Sequence, residues 1–238
     1  MKNSQSNAES KKFVAVKAAQ LVQDGMVAGM GTGSTLAFMI EELARRMREE
    51  NLKFIGVPTS FQSRILCLNL GIPVRDMQDT ATLDLAIDGA DEVDPALNLI
   101  KGGGASQTRE KIVAAMANEF VVVVDESKLV SRLGSTFPVP IEVLPSARAY
   151  VERAIRDLGG EPGLRMAVRK DGPVVSDDGN LIYDVRFTVD QYLRAADQAM
   201  HNLPGVVETG LFFDMTAKVL VGCGGNGNLS LKTLTRKP

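Results

Sequence analysis

Apolar residues along this chain recur in two rhythms, one of helices and one of buried strands, and the rhythms alternate. From residue 10 to 24 the positions Val14, Ala18, Leu21 and Val22 fall at helical spacing, which predicts a helix stopped by Gly25. MVAGM (26–30) is a short apolar run and GTGST (31–35) a glycine-rich turn. Leu36, Met39, Ile40, Leu43 and Met47 then mark a helix with its charges on the other face. FIGVP (54–58), followed by a helix over 60–70 with Gly71 as terminator, repeats the unit. LDLAID (83–88) and FVVVVD (120–125) supply further strands. FVVVV is apolar at every position, so both of its faces are expected to be buried. Strands that alternate with helices and are covered on both sides predict a doubly wound, mainly parallel sheet of the Rossmann-like α/β kind.

After about residue 137 the rhythm changes. VPIEVL (139–144) reads as a strand, 147–158 as a helix closed by Gly159-Gly160, and LRMAVR (164–169) as another strand. Asp171-Gly172 and Asp178-Gly179-Asn180 are turn signals, and LIYDVRF (181–187) alternates as a strand should. Asp190 is placed to cap a helix running to about His201, ahead of a last strand in VVETGLF (206–212). Strand, helix, strand, strand, helix, strand is the ferredoxin-like α+β order. VLVG (219–222) reads as a return to the first sheet, and GCGGNGNLS (222–230) as a longer loop. The expected organisation is therefore a catalytic domain of 1–136 plus 214–238, with a smaller inserted domain over 137–213 as a candidate oligomer contact.

Composition narrows the function classes. The 238 residues are 45% apolar and 24% charged, ordinary proportions for a chain with a real core. With 27 Lys and Arg against 29 Asp and Glu, the net charge of -2 gives no general reason to bind nucleic acid or an anionic membrane, though it allows a local site for a small anion. Cys67 and Cys223 stand in no CxxC spacing, so neither a disulfide framework nor a cysteine zinc site is expected, and a reducing cytosol is the simpler setting. The polar start MKNSQSNAESKK has no apolar signal-peptide region, and no window approaches a spanning helix. The expectation is a cytoplasmic protein.

Three clusters fall where strands of such a sheet should end, which is where open α/β sheets bind ligands. GMGTGST (29–35) has glycines for close backbone approach to an anion, helix-start amides, and the hydroxyls of Ser34 and Thr35; the alternative is a tight turn with Ser34 as N-cap. It is neither a Walker A motif nor GxGxxG, since no Lys follows and Leu36 stands where the third glycine would. IDGADEVD (87–94) carries Asp88, Asp91, Glu92 and Asp94 around Gly89 and Ala90. It can be an acidic turn with helix caps or a metal loop, although Gly89 and Ala90 break the EF-hand alternation. Asp88 follows an apolar strand, where a carboxylate is costly unless hydrogen-bonded, which points to a placed acid or base. IKGGGASQTREKI (100–112) joins Lys101 through Gly102, Gly103 and Gly104 to a helix with Glu110 in its first turn and Ile112, Val113, Met116 and Phe120 as its apolar stripe. Lys128 in DESK adds a cation past a fourth strand, and the lone His201 reads as structural or exposed.

Together these motifs, with LPGVVETGLF (203–212), resemble the A-type ribose-5-phosphate isomerase family in order and spacing from about Lys11 to Thr233. The resemblance implies interconversion of D-ribose 5-phosphate and D-ribulose 5-phosphate in the non-oxidative pentose phosphate pathway, with no cofactor and no metal, by a homodimer or homotetramer. It makes Glu110 the base between carbons 1 and 2, and Asp88 and Asp91 the carboxylates for hydroxyl handling and ring opening. Lys101 with Gly102, Gly103 and Gly104 becomes a substrate loop, Gly89 and Ala90 line the site, and Thr32, Gly33, Ser34 and Thr35 form a binding turn. Lys128 is a binding lysine and Lys11, beside Lys12, a further phosphate partner. Chemically, an enediolate needs donors for its developing charge, which Lys101 and the glycine amides supply, and enclosure is expected to raise the Glu110 pKa from the ordinary glutamate value of about 4.3.

Two rival classes remain at this level. A sugar-phosphate-sensing regulator would need a helix-turn-helix, for which the polar stretch ahead of the first helix leaves no room. A sugar-phosphate deaminase would release ammonia, and a CoA transferase would form a glutamyl-CoA intermediate.

Overall fold

The computed structural model describes residues 4–188, 193–225 and 227–236. In chain order its helices and strands are α1 (Ser4–Ala19), β1 (Val27–Met30), α2 (Ser34–Glu49), β2 (Ile55–Pro58), α3 (Phe61–Asn69), β3 (Leu85–Asp88), β4 (Glu92–Val93), β5 (Leu99–Ile100), α4 (Gln107–Met116), β6 (Phe120–Asp125), β7 (Val139–Val143), α5 (Arg148–Asp157), β8 (Gly160–Leu164), β9 (Leu181–Phe187), α6 (Leu193–His201), β10 (Val206–Thr209), β11 (Leu211–Phe212), β12 (Lys218–Gly225) and β13 (Asn228–Thr235). The expected capping residue Asp190 lies outside the described residues.

These elements form two compact units, Met1–Ala90 with Arg109–Leu129 and Met215–Pro238, and Asp91–Thr108 with Val130–Asp214. In the first, the strand order is β13-β12-β6-β3-β1-β2, parallel except for the β12–β13 pair. From β1 the chain winds one way to β2 and the other way to β3. The topological switch therefore lies between β1 and β3, with the turns after Met30 and Asp88 at its mouth. β6 is buried at all six positions, the first five of them the unbroken apolar run and the sixth Asp125. Val121 and Val123 join Ala28, Met30 and the buried faces of α1 and α2 in one core cluster. The opposite face of β1 meets α4, where a Cβ on Gly29 would stand 2.4 Å from Val113 Cγ1. That orientation of α4 leaves Ile112 exposed, contrary to the expected stripe, while Val113 and Phe120 are buried as expected and Ala114 joins them.

Two boundaries moved for physical reasons. α1 ends at Ala19 because Gln20, Leu21 and Val22 turn to the carbonyls three residues back, and the Arg46 guanidinium from α2 holds the carbonyls of Ala19 and Val22. At the other end, the expected loop over 222–230 is a hairpin in which Gly225 pairs with Asn228. The Asn226-Gly227 dipeptide is a tight-turn sequence, and Gly227 has a φ of 83°.

In the second unit the strands β7, β8, β9 and β10 form an antiparallel sheet of order β10-β7-β9-β8, which with α5 and α6 is the ferredoxin-like arrangement. Ile141, Val143, Val151, Ile155, Tyr183, Val185 and Met200 fill its core. The strand expected at 164–169 lies instead at 160–164. The pairing of β8 with β9 ends at Leu164 opposite Tyr183, and beyond it Val168, 99% exposed, has no face to bury. A three-stranded sheet of order β11-β5-β4 completes the unit and carries the segment 91–108.

Candidate active site

At the switch point of the first unit, the chain leaves β1 through Gly31-Thr32-Gly33 and enters α2. Gly33 is the N-cap, with a φ of 104°, and no side chain caps the helix. Ser34 is therefore the first helical residue and not the cap, so the amides of the first turn are left to other partners. A Cβ at Gly31 would lie 2.2 Å from Asp88 Oδ1, so only glycine lets that carboxylate close on the turn. Asp88, 3% exposed, accepts on Oδ1 from the N–H groups of Thr32 at 3.1 Å and Gly89 at 2.7 Å. The end of β3 is thus tied directly to the turn after β1.

The turn is braced from its other side by residues that the sequence reading passed over. Thr32 Oγ1 lies 2.8 Å from Thr59 Oγ1 and 2.7 Å from Ser60 Oγ, Thr59 donates to the Met30 carbonyl at 3.1 Å, and the Gly33 N–H donates to Gln62 Oε1 at 3.0 Å. Ser60 caps α3 and shares a capping box with Ser63. The signal was present as Ser60-x-x-Ser63 behind a strand that neighbours β1.

Of the other expected residues in this unit, Glu110 lies in the first turn of α4 and is 5% exposed. Thr35 is half-buried near the start of α2, while Gly89 and Ala90 are half-buried just past β3. Lys128 is half-buried in the short turn of helix after β6, the strand beside β3, and Asp125 caps that turn through the Ser127 N–H at 2.9 Å. On α1, Lys11 is half-buried and Lys12 exposed.

In the second unit, Asp91 and the glycine loop form one construction. The Asp91 N–H donates to the Ile100 carbonyl at 2.8 Å, and Asp91 Oδ2 accepts from the Gly103 N–H at 2.8 Å. Lys101 is 2% exposed, its N–H bonded to the Gly210 carbonyl at 2.9 Å and its ammonium 5.5 Å from the centroid of the Phe212 ring. Gly103 and Gly104 are exposed and Gly102 is buried.

The geometry sorts the four acids of 88–94. Glu92, with no exposed surface, accepts from the N–H groups of Gly134, Thr136 and Phe137 and from the Thr136 hydroxyl, all at 2.6–2.7 Å. Asp94 closes its own loop by accepting from the N–H groups of Ala96 and Asn98 and from the Asn98 amide. Both are occupied in structure. Asp88 and Asp91 are the two whose bonds go to glycine-rich loops. Among the described residues no group of three or more His, Cys, Asp or Glu is placed to hold a metal ion, and no helix is long and apolar enough to cross a membrane. His201 lies between the Asp197 carbonyl and Glu208 at the end of α6, a structural position.

These features define an α/β protein with a buried carboxylate and a glycine-rich turn at the carboxyl ends of a doubly wound sheet, where proteins of this class bind their ligands. Residues 55–226 match the family model of ribose 5-phosphate isomerase A (phosphoriboisomerase A). The chain is 58% identical over 215 residues to ribose-5-phosphate isomerase A of Thermosynechococcus vestitus, covering 90% of this chain and 91% of that one. It is 50% identical to the Trichodesmium erythraeum protein of the same name over 94% and 95% of the two chains. The solved structure of ribose 5-phosphate isomerase A from Methanocaldococcus jannaschii superposes with a TM-score of 0.89 at 48% identity, covering 97% of this chain and all of that one. A D-ribose-5-phosphate isomerase in complex with phospho-erythronic acid gives 0.89 at 42% identity over 96% and 98%. This chain belongs to the ribose 5-phosphate isomerase A family.

Proposed function

We propose that the chain interconverts D-ribose 5-phosphate and D-ribulose 5-phosphate through an enediolate, without metal or cofactor. The observation that carries the site assignment is the sorting of the acids: Asp88 and Asp91 alone among the four of 88–94 are bonded to glycine-rich loops, one to the turn at 31–33 and the other to the loop at 101–104.

In this reading Glu110 removes the proton from carbon 2 of the open-chain aldose and returns it to carbon 1. The negative charge that develops on the two oxygens is met by the Lys101 ammonium and by amides of the Gly102-Gly103-Gly104 loop, in which the Gly103 N–H is held by Asp91. Asp88 and Asp91 move the hydroxyl protons and assist ring opening. Thr32, Gly33, Ser34 and Thr35, with Lys128 and Lys11, bind the phosphate, and the half-burial of Lys11 against the exposure of Lys12 favours Lys11. Binding energy from the phosphate then holds the reacting carbons in register.

Glu110→Gln tests the base. The amide keeps the size of the side chain and cannot take the proton, so kcat is expected to fall about 100- to 10,000-fold with melting temperature and substrate affinity near wild type. Exchange of the carbon-2 proton with solvent deuterium should fall in parallel, and chelator treatment should leave wild-type turnover unchanged. Retention of more than about a tenth of kcat, short of the usual general-base loss, moves the role to Asp88 or Asp91.

The finer assembly reading is a cytoplasmic homodimer or homotetramer, with 1–136 and 214–238 carrying catalysis and 137–213 carrying the contact. Exposed apolar residues at Tyr150, Leu158, Met166 and Val175 support the contact, and the free Cys67 and Cys223 suit a reducing compartment. Light scattering of the purified protein tests the assembly, and a monomer removes it.

A further inference from the structure

Three consecutive glycines have almost no conformational preference of their own, so a loop that must present amides in one direction needs external restraint. In the second unit that restraint comes from an arginine more than sixty positions along the chain. Arg165 Nη1 donates to the Gly102 carbonyl at 2.9 Å and to the Gly103 carbonyl at 3.2 Å. Its remaining donors are fixed by Asp184, through Nε at 2.8 Å and through Nη2. The backbone of Arg165 is held as well, its N–H by the Ile182 carbonyl and its own carbonyl by the Val174 N–H, both at 2.8 Å. Both charged side chains are half-buried, and Asp184 sits in β9, opposite Gly163 of β8.

A trans peptide sets its carbonyl and its N–H in opposite directions. Anchoring the carbonyls of Gly102 and Gly103 on one guanidinium therefore turns the N–H groups of Gly103 and Gly104 to the other side. The first of these meets Asp91, which grips the loop from that side. A cation on a peptide oxygen also polarises the whole peptide group, so the amides beyond it become better donors to an anion. A lysine in place of Arg165 would keep the charge and lose the planar fork that reaches two carbonyls and a carboxylate at once.

We propose that Arg165, oriented by Asp184, is a positioning residue that fixes the amide of Gly104 for the developing enediolate while the Gly103 amide stays on Asp91. The inference rests on the reading of 101–104 as the substrate loop. Arg165 acts through the loop and has no role in proton transfer.

The test uses the full-length Arg165→Lys and Asp184→Asn proteins, with phospho-erythronic acid as the probe, since its carboxylate places two oxygens where an enediolate carries its charge. For Arg165→Lys, kcat is expected to fall about 10- to 100-fold, less than the roughly 100- to 1,000-fold for deleting an oxyanion donor outright. KM for ribose 5-phosphate should change less than about threefold, because the donors matter more to the transition state than to the ground state. The inhibition constant for phospho-erythronic acid should weaken in step with kcat, and Asp184→Asn should move both in the same direction. A purely structural role predicts a lower melting temperature with kcat per folded molecule and the inhibition constant unchanged, and that result overturns the proposal. Lys101→Ala, measured beside them, separates the two levels. If Lys101→Ala is inactive while Arg165→Lys turns over normally, the strut fails and the loop reading stands. If Lys101→Ala turns over normally, the loop reading falls and the strut falls with it.

Discussion

The turn at 31–33 and the loop at 101–104 are both rich in glycine, yet they are held by different means. The first follows β1 at the mouth of the parallel sheet, and its braces come from the ends of the strands on either side of β1: the carboxylate at the end of β3 and the hydroxyls of Thr59, Ser60 and Ser63 past the end of β2. The second hangs from strands of two residues and is braced by charged side chains outside those strands, with Asp91 on one side and the Arg165–Asp184 pair on the other. Ionic bracing recurs in that unit: Glu92 gathers the 134–137 segment, and Glu142, buried in β7, accepts from Thr108, Ser176 and Asn180. A regular sheet aims its turns by register, whereas a short irregular sheet has to be aimed by specific bonds.

By that difference, a steric change in the first loop should act mainly on turnover. Gly31→Ala places a methyl group 2.2 Å from Asp88 Oδ1 and 2.7 Å from Asp88 Cα, contacts that force the carboxylate off the turn. The sheet around it is otherwise intact, so the expected result is a normal circular dichroism spectrum with kcat reduced about 100- to 10,000-fold, the range for loss of a positioned acid or base. A variant that keeps a third of wild-type kcat would show that Asp88 can leave the turn without consequence.

In the second unit a change to an ionic brace that touches no loop glycine should do the reverse. Glu92→Ala leaves three N–H groups and a hydroxyl of the 134–137 segment without their buried acceptor, a loss of about 1–3 kcal/mol. Urea unfolding should register that loss, while kcat per folded molecule stays within about twofold, the shift of a change outside the reacting groups. Loss of turnover at unchanged stability would place Glu92 in the chemistry and erase the contrast.

The same contrast explains what could be read from the sequence. FVVVVD was assigned to the residue because a strand buried on both faces must be apolar throughout, and the ferredoxin-like order was visible in the spacing of its strands. The turn at 31–35 and the acid at 88 were legible because glycine and carboxylate fell at strand ends. β4 and β5, at two residues each, are too short to leave a period. Arg165 and Asp184 stand 63 and 82 positions beyond the Gly102 they serve, 165 − 102 and 184 − 102, and each is locally an unremarkable charged residue. The hairpin at 225–228 was hidden because glycines in β12 read as loop, although Asn-Gly was there to mark its turn. Periodicity reveals elements that face a core; it is silent about bonds between distant side chains.

The smallest effect concerns how the two kinds of bracing respond to pH. The hydroxyls around Thr32 do not titrate in the working range, but His201 at the end of α6 does. Burial by itself lowers its pKa, and the bonds to the Asp197 carbonyl and to Glu208 in β10, with the nearby Asp197 carboxylate, outweigh that and leave it raised. A histidine whose folded pKa exceeds its unfolded value of about 6.5 stabilises the fold fully below that pH, and the contribution disappears as pH rises through the folded value. The site is more than a third exposed, so solvent screening keeps the effect small. His201→Gln should therefore melt about 1–3 °C below wild type at pH 6 and close to it at pH 9, the size expected for one cation at a helix C-terminus. Thermal melts of both proteins across that range decide it. A gap that is constant, or that widens towards pH 9, would mean that the imidazole is packed neutral between α6 and β10 and that this seam of the second unit is held without charge.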